Sequence, residues 1–520
     1  MALLSAPREI RELIISYVSS IDDLAALSQS CRAMYSICDM KARRRFHKIS
    51  VYPNDTSINE TFDMLMEVLR RPSLGKYVRE LQQGWRPSRE TSYVEMETQR
   101  DLPASDMDLL QTAVQKAGFV GSEGCTVLNM LMQDSTDVAN QIKSYSSYGE
   151  NPRQVLGIFI TQALAAMLMS VSPELESLAM TQPFAWHSRY ANDPSHVNYP
   201  LVRLLRLANA DPANVPFLRN LRNVYIIVDE ASIADDDRFY IFIHFMDCTT
   251  LFSHLPSIES IATDALFEGD DDGAHLAPQS SQISRIRLTH CALGTPYLAS
   301  LIMSCQTLRE FQYTIGGRAI MDGTITSFNN KTLIKSIIPH KDTLQVLDID
   351  AEAHMFTCDS EYNECYDEDR VGEFMSGQAA DDASDHFEFD DETRENLRSL
   401  SRNTGSLKEF CALTRLSVGI GFLMDFAMGV GKTDRAGEPV LLLEALPESL
   451  EYLCIRGYER WENTDWDTQI DALMTSFRSG SSGIKEILGV EETINNSKDV
   501  KYPDDDPDSL WSLEDSIYAL

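Results

Sequence analysis

Along most of the chain the apolar residues fall into one short, recurring pattern. The form apolar-x-x-apolar-x-apolar appears at Leu175/Leu178/Met180, Leu221/Val224/Ile226, Ile258/Ile261/Thr263, Ile283/Ile286/Leu288, Leu308/Phe311/Tyr313, Leu344/Leu347/Ile349, Leu413/Leu416/Val418, Leu450/Leu453/Ile455 and Ile484/Ile487/Gly489. In each segment the last two positions stand two residues apart, which puts both side chains on one face of a strand. A strand this short buries that face only by stacking on its neighbours, so the pattern predicts a row of parallel strands. Measured at the middle residue, from Leu178 to Ile487, the steps are 46, 37, 25, 25, 36, 69, 37 and 34 residues. The longer steps have room for a helix as the return leg, and residues 297–305, 332–340 and 441–446 carry apolar stripes of that kind. A doubly wound sheet also alternates strands with helices, but no glycine-rich turn follows the first strand here.

The N-terminus follows the helical period instead. Pro7 suits a helix start, where its missing N–H costs nothing, and Glu9 lies near the positive pole of the same helix. Ile10, Leu13, Ile14 and Tyr17 follow at i, i+3, i+4 and i+7, and Ile15 with Val18 widens the stripe around most of the helix. Asp22 or Asp23 is placed to cap a second helix carrying Leu24, Leu27 and Cys31, with Met34, Tyr35 and Ile37 continuing the pattern. These pieces close on one another and leave apolar surface uncovered. Beyond them the pattern predicts a strand over 49–52, then a helix over 58–71 with Phe62, Leu65, Met66 and Leu69 on one face. Residues 72–75 break that helix, and another strand begins within 77–81. Between Arg153 and Glu174 there is no charge, yet Thr161, Gln162, Ser170 and Ser172 are polar and the flanks lack a basic bias, which predicts a buried helix and no membrane span.

The run Pro7-Arg8-Glu9-Ile10, the pair Leu13-Ile14, then Asp23-Leu24, Leu27, Ser30-Cys31-Arg32 and Tyr35, resembles an F-box. The recurring segments resemble the strands of leucine-rich repeats, although only the two 25-residue steps fall within the roughly 20–29 residues of regular repeats, so the implied solenoid is irregular. Taken together, the expected fold class is α/β. An N-terminal helical F-box-like motif over 1–48 is followed by a mixed linking region over 49–172, a leucine-rich-repeat-like solenoid over 173–490 with an acidic insertion at 359–392, and an acidic tail over 491–520. In the F-box family the motif docks on the Skp adaptor of cullin-RING ubiquitin ligases. The resemblance assigns Pro7, Ile10, Leu13, Ile14, Leu24, Leu27, Cys31 and Tyr35 to the adaptor groove and to packing between the helices. Ala6 stands where a Leu usually precedes the Pro, and Ser30 where a Val is common, so both departures remove apolar surface. The whole resembles fungal-type F-box proteins with degenerate repeats. It implies a substrate receptor that is not an enzyme, uses no cofactor, and holds an unidentified protein client on its solenoid. The alternative is a repeat scaffold that works without a ligase.

Charge narrows the partners further. A net charge of -34 argues against binding nucleic acid or an anionic membrane, both of which need a basic surface. Acidic clusters follow the predicted strands at 229–230, 235–237, 268–272 and around Asp348, Asp350 and Glu352, and the insertion at 359–392 holds fourteen acids against Arg370 alone, the composition of a solvated loop. Ten cysteines without paired spacing point to reduced thiols in the cytoplasm or nucleus, and Arg8, Glu9, Arg11 and Glu12 interrupt any secretory apolar core. Lys41, Arg43, Arg44 and Arg45 read as cations at a helix end. The stretch Gly429-Val430-Gly431-Lys432-Thr433 imitates the end of a phosphate-binding loop, but Phe426 occupies the position that needs the first glycine. His354, Cys358 and Cys365 lack the spacing of a zinc site, and Cys125, Cys248, Cys291, Cys305 and Cys411 lack the context of a nucleophile.

Overall fold

The computed structural model describes residues 5–18, 21–84, 100–133, 152–183, 199–228, 239–267, 276–318, 328–354, 399–400, 402–431, 441–480 and 482–498. The chain divides into two compact units, Met1–Leu221 and Arg222–Leu520.

The first unit opens with four short helices, α1 (Arg8–Ser16), α2 (Ile21–Ser30), α3 (Arg32–Cys38) and α4 (Met40–His47), which run into β1 (Lys48–Val51). Helix α5 (Asp55–Arg70) begins three residues ahead of its apolar stripe because the Asn54 side chain accepts a hydrogen bond from the Ser57 N–H at 2.9 Å. Its buried face is Ile58, Phe62, Leu65 and Met66. Pro72 then opens a 3-10 turn, Pro72–Tyr77, and this turn delays β2 to Glu80–Gln83. The unit continues through α6 (Ala104–Lys116), α7 (Gly121–Leu131), α8 (Pro152–Val171), β3 (Ser177–Thr181) and α9 (Pro200–Ala210). The uncharged segment is α8; its residues from Ala163 to Met169 are fully buried, and it packs on α5, α7 and α9. Among the described residues no helix is long and apolar enough to cross a membrane.

Strands β1, β2 and β3 are parallel, with Ile49 opposite Leu81 and Leu81 opposite Leu178. The recurring spacing therefore begins earlier than the sequence suggested, at Phe46/Ile49/Val51 and Val78/Leu81/Gln83. Gln83 concealed the second of these, because a buried glutamine fills the place of the last apolar residue.

The second unit contains β4 (Asn223–Ile227), β5 (Ile241–Phe242), α10 (Phe245–Thr250), β6 (Ser260–Asp264), β7 (Leu266–Phe267), β8 (Arg285–Thr289), α11 (Thr295–Ser304), β9 (Glu310–Thr314), α12 (Asn330–Ile337), β10 (Val346–Asp350), β11 (Arg415–Gly419), α13 (Ile420–Met428), α14 (Leu442–Ala445), β12 (Tyr452–Arg456), α15 (Thr464–Arg478) and β13 (Glu486–Leu488). Strands β4, β6, β8, β9, β10, β11, β12 and β13 pair in that order, all parallel, while β5 and β7 form a separate small pair. Their order follows the chain without reversal, so these strands lack the switch point of a doubly wound sheet. In the ladder Val224, Ile261, Ile286, Phe311, Leu347, Leu416, Leu453 and Ile487 form one continuous row. The row keeps its register across steps of 25 and of 69 residues, because a slip by one would turn every apolar side chain to the other face. The return helices expected over 297–305 and 332–340 are α11 and α12, and the expected helix over 441–446 shrinks to α14.

After β13 the chain doubles back across the ends of earlier strands. Gly457 donates its N–H to Ile494 O at 2.8 Å, and Ser497 donates from its N and Oγ to Asp350 at 3.0 and 2.8 Å. Gly316, at φ 89°, lies under Lys498 so closely that a Cβ would sit 2.7 Å from the Lys498 carbonyl oxygen. The insertion at 359–392, the tail beyond 498 and the acidic clusters at 229–230, 235–237 and 268–272 lie outside the described residues.

Candidate functional site

The N-terminal helices bury one side and expose the other. Ile15, Leu24, Met34 and Cys38 form a small core at 1%, 4%, 2% and 0% exposure, and Val18, Leu27, Cys31, Ile37 and Met40 pack against it. The stripe on α1 faces away from this core: Ile10, Leu13, Ile14 and Tyr17 are 45%, 52%, 41% and 80% exposed, and Tyr35 on α3 is 67% exposed. Twelve large apolar side chains are exposed among the described residues, and these five all fall within the first thirty-five positions, which makes the segment a candidate binding surface. The eight residues assigned from sequence thus separate. Pro7, Ile10, Leu13, Ile14 and Tyr35 are exposed, while Leu24, Leu27 and Cys31 hold the helices together. A helix that is apolar around most of its circumference offers two candidate faces, and periodicity cannot choose between them. Tyr17, which the resemblance did not single out, is the most exposed member of the stripe.

The surrounding polar groups fix the four helices against the next segment. Asp22 and Asp23 lie inside the first turn of α2, meeting its positive pole as charges instead of standing before it as a cap. Asp39, at φ 45°, makes the sharp turn from α3 into α4 and pairs with Arg71 at 3.1 Å. Arg43 donates from Nε to Cys38 O at 2.7 Å, with its guanidinium 4.5 Å from the centre of the Tyr77 ring. Arg45 makes two hydrogen bonds to Glu67, at 2.9 and 2.6 Å, and Arg44, Arg45 and His47 occupy the last turn of α4, at the negative pole of its dipole. Burial pushes the Cys38 thiol up in spite of Arg43.

A second candidate surface is the open face of the sheet in Arg222–Leu520. There a groove of about 420 Å³ is lined by Glu310, Gln312, Asp348, Arg415, Tyr452 and Arg456 among others. These residues alternate with the buried row, so the pleat that seals the core sets them facing outward. Arg456 reaches from β12 over two strands: its guanidinium lies 3.2 Å from Asp348 and 3.4 Å from Asp350, and Nη1 donates to Ser417 Oγ at 3.0 Å. Burial raises the Asp348 carboxyl, and the Arg456 charge opposes that rise. Glu310 is shared by Arg287 at 3.2 Å and Arg285 at 3.9 Å, while Gln312 donates to it at 2.9 Å. The Arg415 guanidinium stacks 4.7 Å from the centre of the Tyr452 ring. Arg415, Tyr452 and Arg456 were not singled out in the sequence; the sole signal for them is that they occupy the unpatterned positions of strands whose apolar residues point inward.

The remaining chemical candidates resolve into structure. Glu352 accepts a hydrogen bond from the Gly421 N–H at 2.6 Å, which places its carboxylate at the start of α13. Gly429, at φ 82°, ends α13 and leaves no room for a Cβ beside Gly405 O, so the glycines that imitated a phosphate loop stop a helix instead of starting one. Lys432 and Thr433 lie outside the described residues, as do Cys358 and Cys365. Among the described residues no group of His, Cys, Asp and Glu could hold a metal ion. Cys248, Cys291 and Cys305 are buried, and burial pushes the Cys305 thiol up to about 12, which keeps it protonated and unreactive.

Compared with known families, residues 7–46 match the F-box domain. No curated protein matches the chain.

Proposed function

We propose that the chain is the client-receptor subunit of a cullin-RING ubiquitin ligase of the SCF type, docking on a Skp adaptor through residues 7–46. The F-box match carries this reading, and the exposed row Ile10, Leu13, Ile14 and Tyr17 supplies the apolar surface such docking needs. Fully burying a Leu or Ile side chain contributes roughly 1.5–3 kcal/mol, so two or three of these residues would dominate the contact. The parallel sheet is read as an irregular leucine-rich-repeat solenoid whose open face holds a protein client. In that arrangement the protein acts without catalysis of its own, in the cytoplasm or nucleus. Its work is proximity: client and transfer machinery share one assembly at raised effective concentration.

The test is adaptor capture by the full chain and by the double variant Leu13→Asp, Ile14→Asp. Both positions are exposed, so the variant should melt with the wild type while losing the adaptor. If the wild type fails to capture an adaptor that binds a control F-box protein, the ligase reading falls and a repeat scaffold replaces it.

A further inference from the structure

The turn between β12 and α15 carries a side chain that the fold leaves outside. Trp461 is 81% exposed, more than any other large apolar residue among those described. It is nevertheless held in place. Trp461 stands at φ 79°, a left-handed backbone that a bulky residue keeps only where its surroundings enforce it, and its N–H donates to Asp467 Oδ2 at 3.2 Å. The other oxygen of Asp467 accepts from the buried Tyr458 hydroxyl at 2.7 Å. Asn463 then caps α15 by accepting from the N–H groups of Asp465 and Trp466. The Arg460 guanidinium lies over the indole, 5.3 Å from the ring centre, and its Nη2 donates to both carboxylate oxygens of Asp471 at 2.8 Å. Backbone and ring are thus both fixed before anything binds.

An aromatic side chain with so little freedom left to lose has the character of an interface anchor. The charges around it select the partner. From Glu459 to Asp471 the chain carries Glu459, Glu462, Asp465, Asp467 and Asp471 against Arg460 alone. Asp471 is taken up by Arg460, and Asp467 by its two donors. Glu459, Glu462 and Asp465 are exposed and form no ion pair among the described residues. We infer that this turn binds a basic protein segment, with one arginine or lysine against the solvent-facing side of the Trp461 indole and the neighbouring cations beside Glu459, Glu462 and Asp465. The negative face of an indole attracts a cation, and the acids on its rim add an attraction that salt screens. The net charge of -34 draws such a partner in from a distance and repels nucleic acid and anionic membranes. The inference goes beyond the ligase reading and does not depend on it, since adaptor docking is assigned to residues 7–46.

Three labelled peptides in one Gly/Ser/Ala background would be titrated into the full chain by fluorescence anisotropy. One carries arginine and lysine at its variable positions, one glutamate and one serine. The basic peptide is expected to bind about ten-fold or more tighter than the other two, with affinity falling as salt rises. Because the whole chain is acidic, charge alone could hold a basic peptide anywhere on it, and Trp461 is what separates the two cases. Trp461→Ala should melt like the wild type and lose about ten-fold or more in affinity, while Trp461→Phe, which keeps an aromatic face, should lose less. The double variant Glu459→Gln, Glu462→Gln should weaken binding several-fold and flatten its salt dependence. Equal binding of the three peptides, no binding at all, or full affinity in Trp461→Ala overturns the inference. So does a loss in Trp461→Phe as large as that in Trp461→Ala. A dimer seen in sedimentation that Trp461→Ala dissolves also overturns it, by giving the ring to a second copy of this chain. Adaptor capture by Trp461→Ala should equal the wild type, so failure here and failure of the ligase reading are told apart.

Discussion

Residues 7–46 and the sheet of the second unit use apolar side chains in opposite ways. In the first, five large apolar side chains stand in solvent around a core of four. In the second, the row from Val224 to Leu453 is sealed at 1% exposure or less, and the residues between its members face outward. Where apolar residues themselves point out, the binding surface is written in the hydrophobic period. Where they seal a core, the residues that face outward are the ones the period leaves unspecified.

The sharpest test of that contrast is to remove equal kinds of side chain from the two regions. Phe311→Ala, in the sealed row, should destabilise the second unit by about 3–5 kcal/mol, read as a fall in denaturant midpoint. Leu24→Ala removes a member of the N-terminal core and should cost about 2–5 kcal/mol of that segment's stability while also lowering adaptor capture. If Leu24→Ala leaves both unchanged, the division of the motif into core and face is wrong. Tyr35→Ala or Ile14→Ala, on the exposed side, should leave melting unaltered and weaken adaptor binding by about 1–2 kcal/mol each, roughly five- to thirty-fold, in a titration calorimeter.

His340 offers a subtler comparison, because it lies inside the sealed region. Its Nδ1 faces the Leu308 N–H at 3.3 Å and its Nε2 faces Ile302 O at 3.1 Å, an arrangement that suits the neutral ring with hydrogen on Nε2. Burial lowers its pKa below the ordinary 6.5, and the bond to Ile302 only partly opposes this. The unfolded chain then binds the proton more readily, so the contribution is fully present above 6.5 and is lost as pH falls through the lower folded value. Melting temperatures between pH 7.5 and pH 5 should fall more steeply for the wild type than for His340→Gln; parallel curves would remove His340 as the cause. The smallest effect belongs to the exposed pair Arg45 and Glu67, where Glu67→Gln should cost no more than about 1 kcal/mol and less at high salt, measured by thermal melts in low and high salt.

The strands were legible because their signal is local: three apolar residues within six positions survive any length of intervening chain. Their order, and the continuous register from Val224 to Ile487, followed from the same rule. The earlier strands at Ile49 and Leu81 were read only as isolated ones, since Gln83 breaks the pattern and 97 residues separate Leu81 from Leu178. The exposed half of the N-terminal site was present in the apolar stripe, but its orientation was not, because Ile15 on the same helix is equally apolar and points inward. The groove was illegible for a different reason. Arg456 meets Asp348 across 108 residues, and the acids around Ile349 look like free negative charge until that distant partner is placed beside them.

The returning segment after β13 bears on the order in which the second unit assembles. Neighbouring strands can add to a ladder one at a time, each needing only the one before it. Ser497, by contrast, closes a loop of 147 residues onto Asp350, and Ile494 and Lys498 need the turns after Arg456 and Thr314 already in place. The contact has nothing to join until those strands are stacked. It is therefore expected to form late in folding and, contributing little to the transition state, to act mainly as a brake on unfolding.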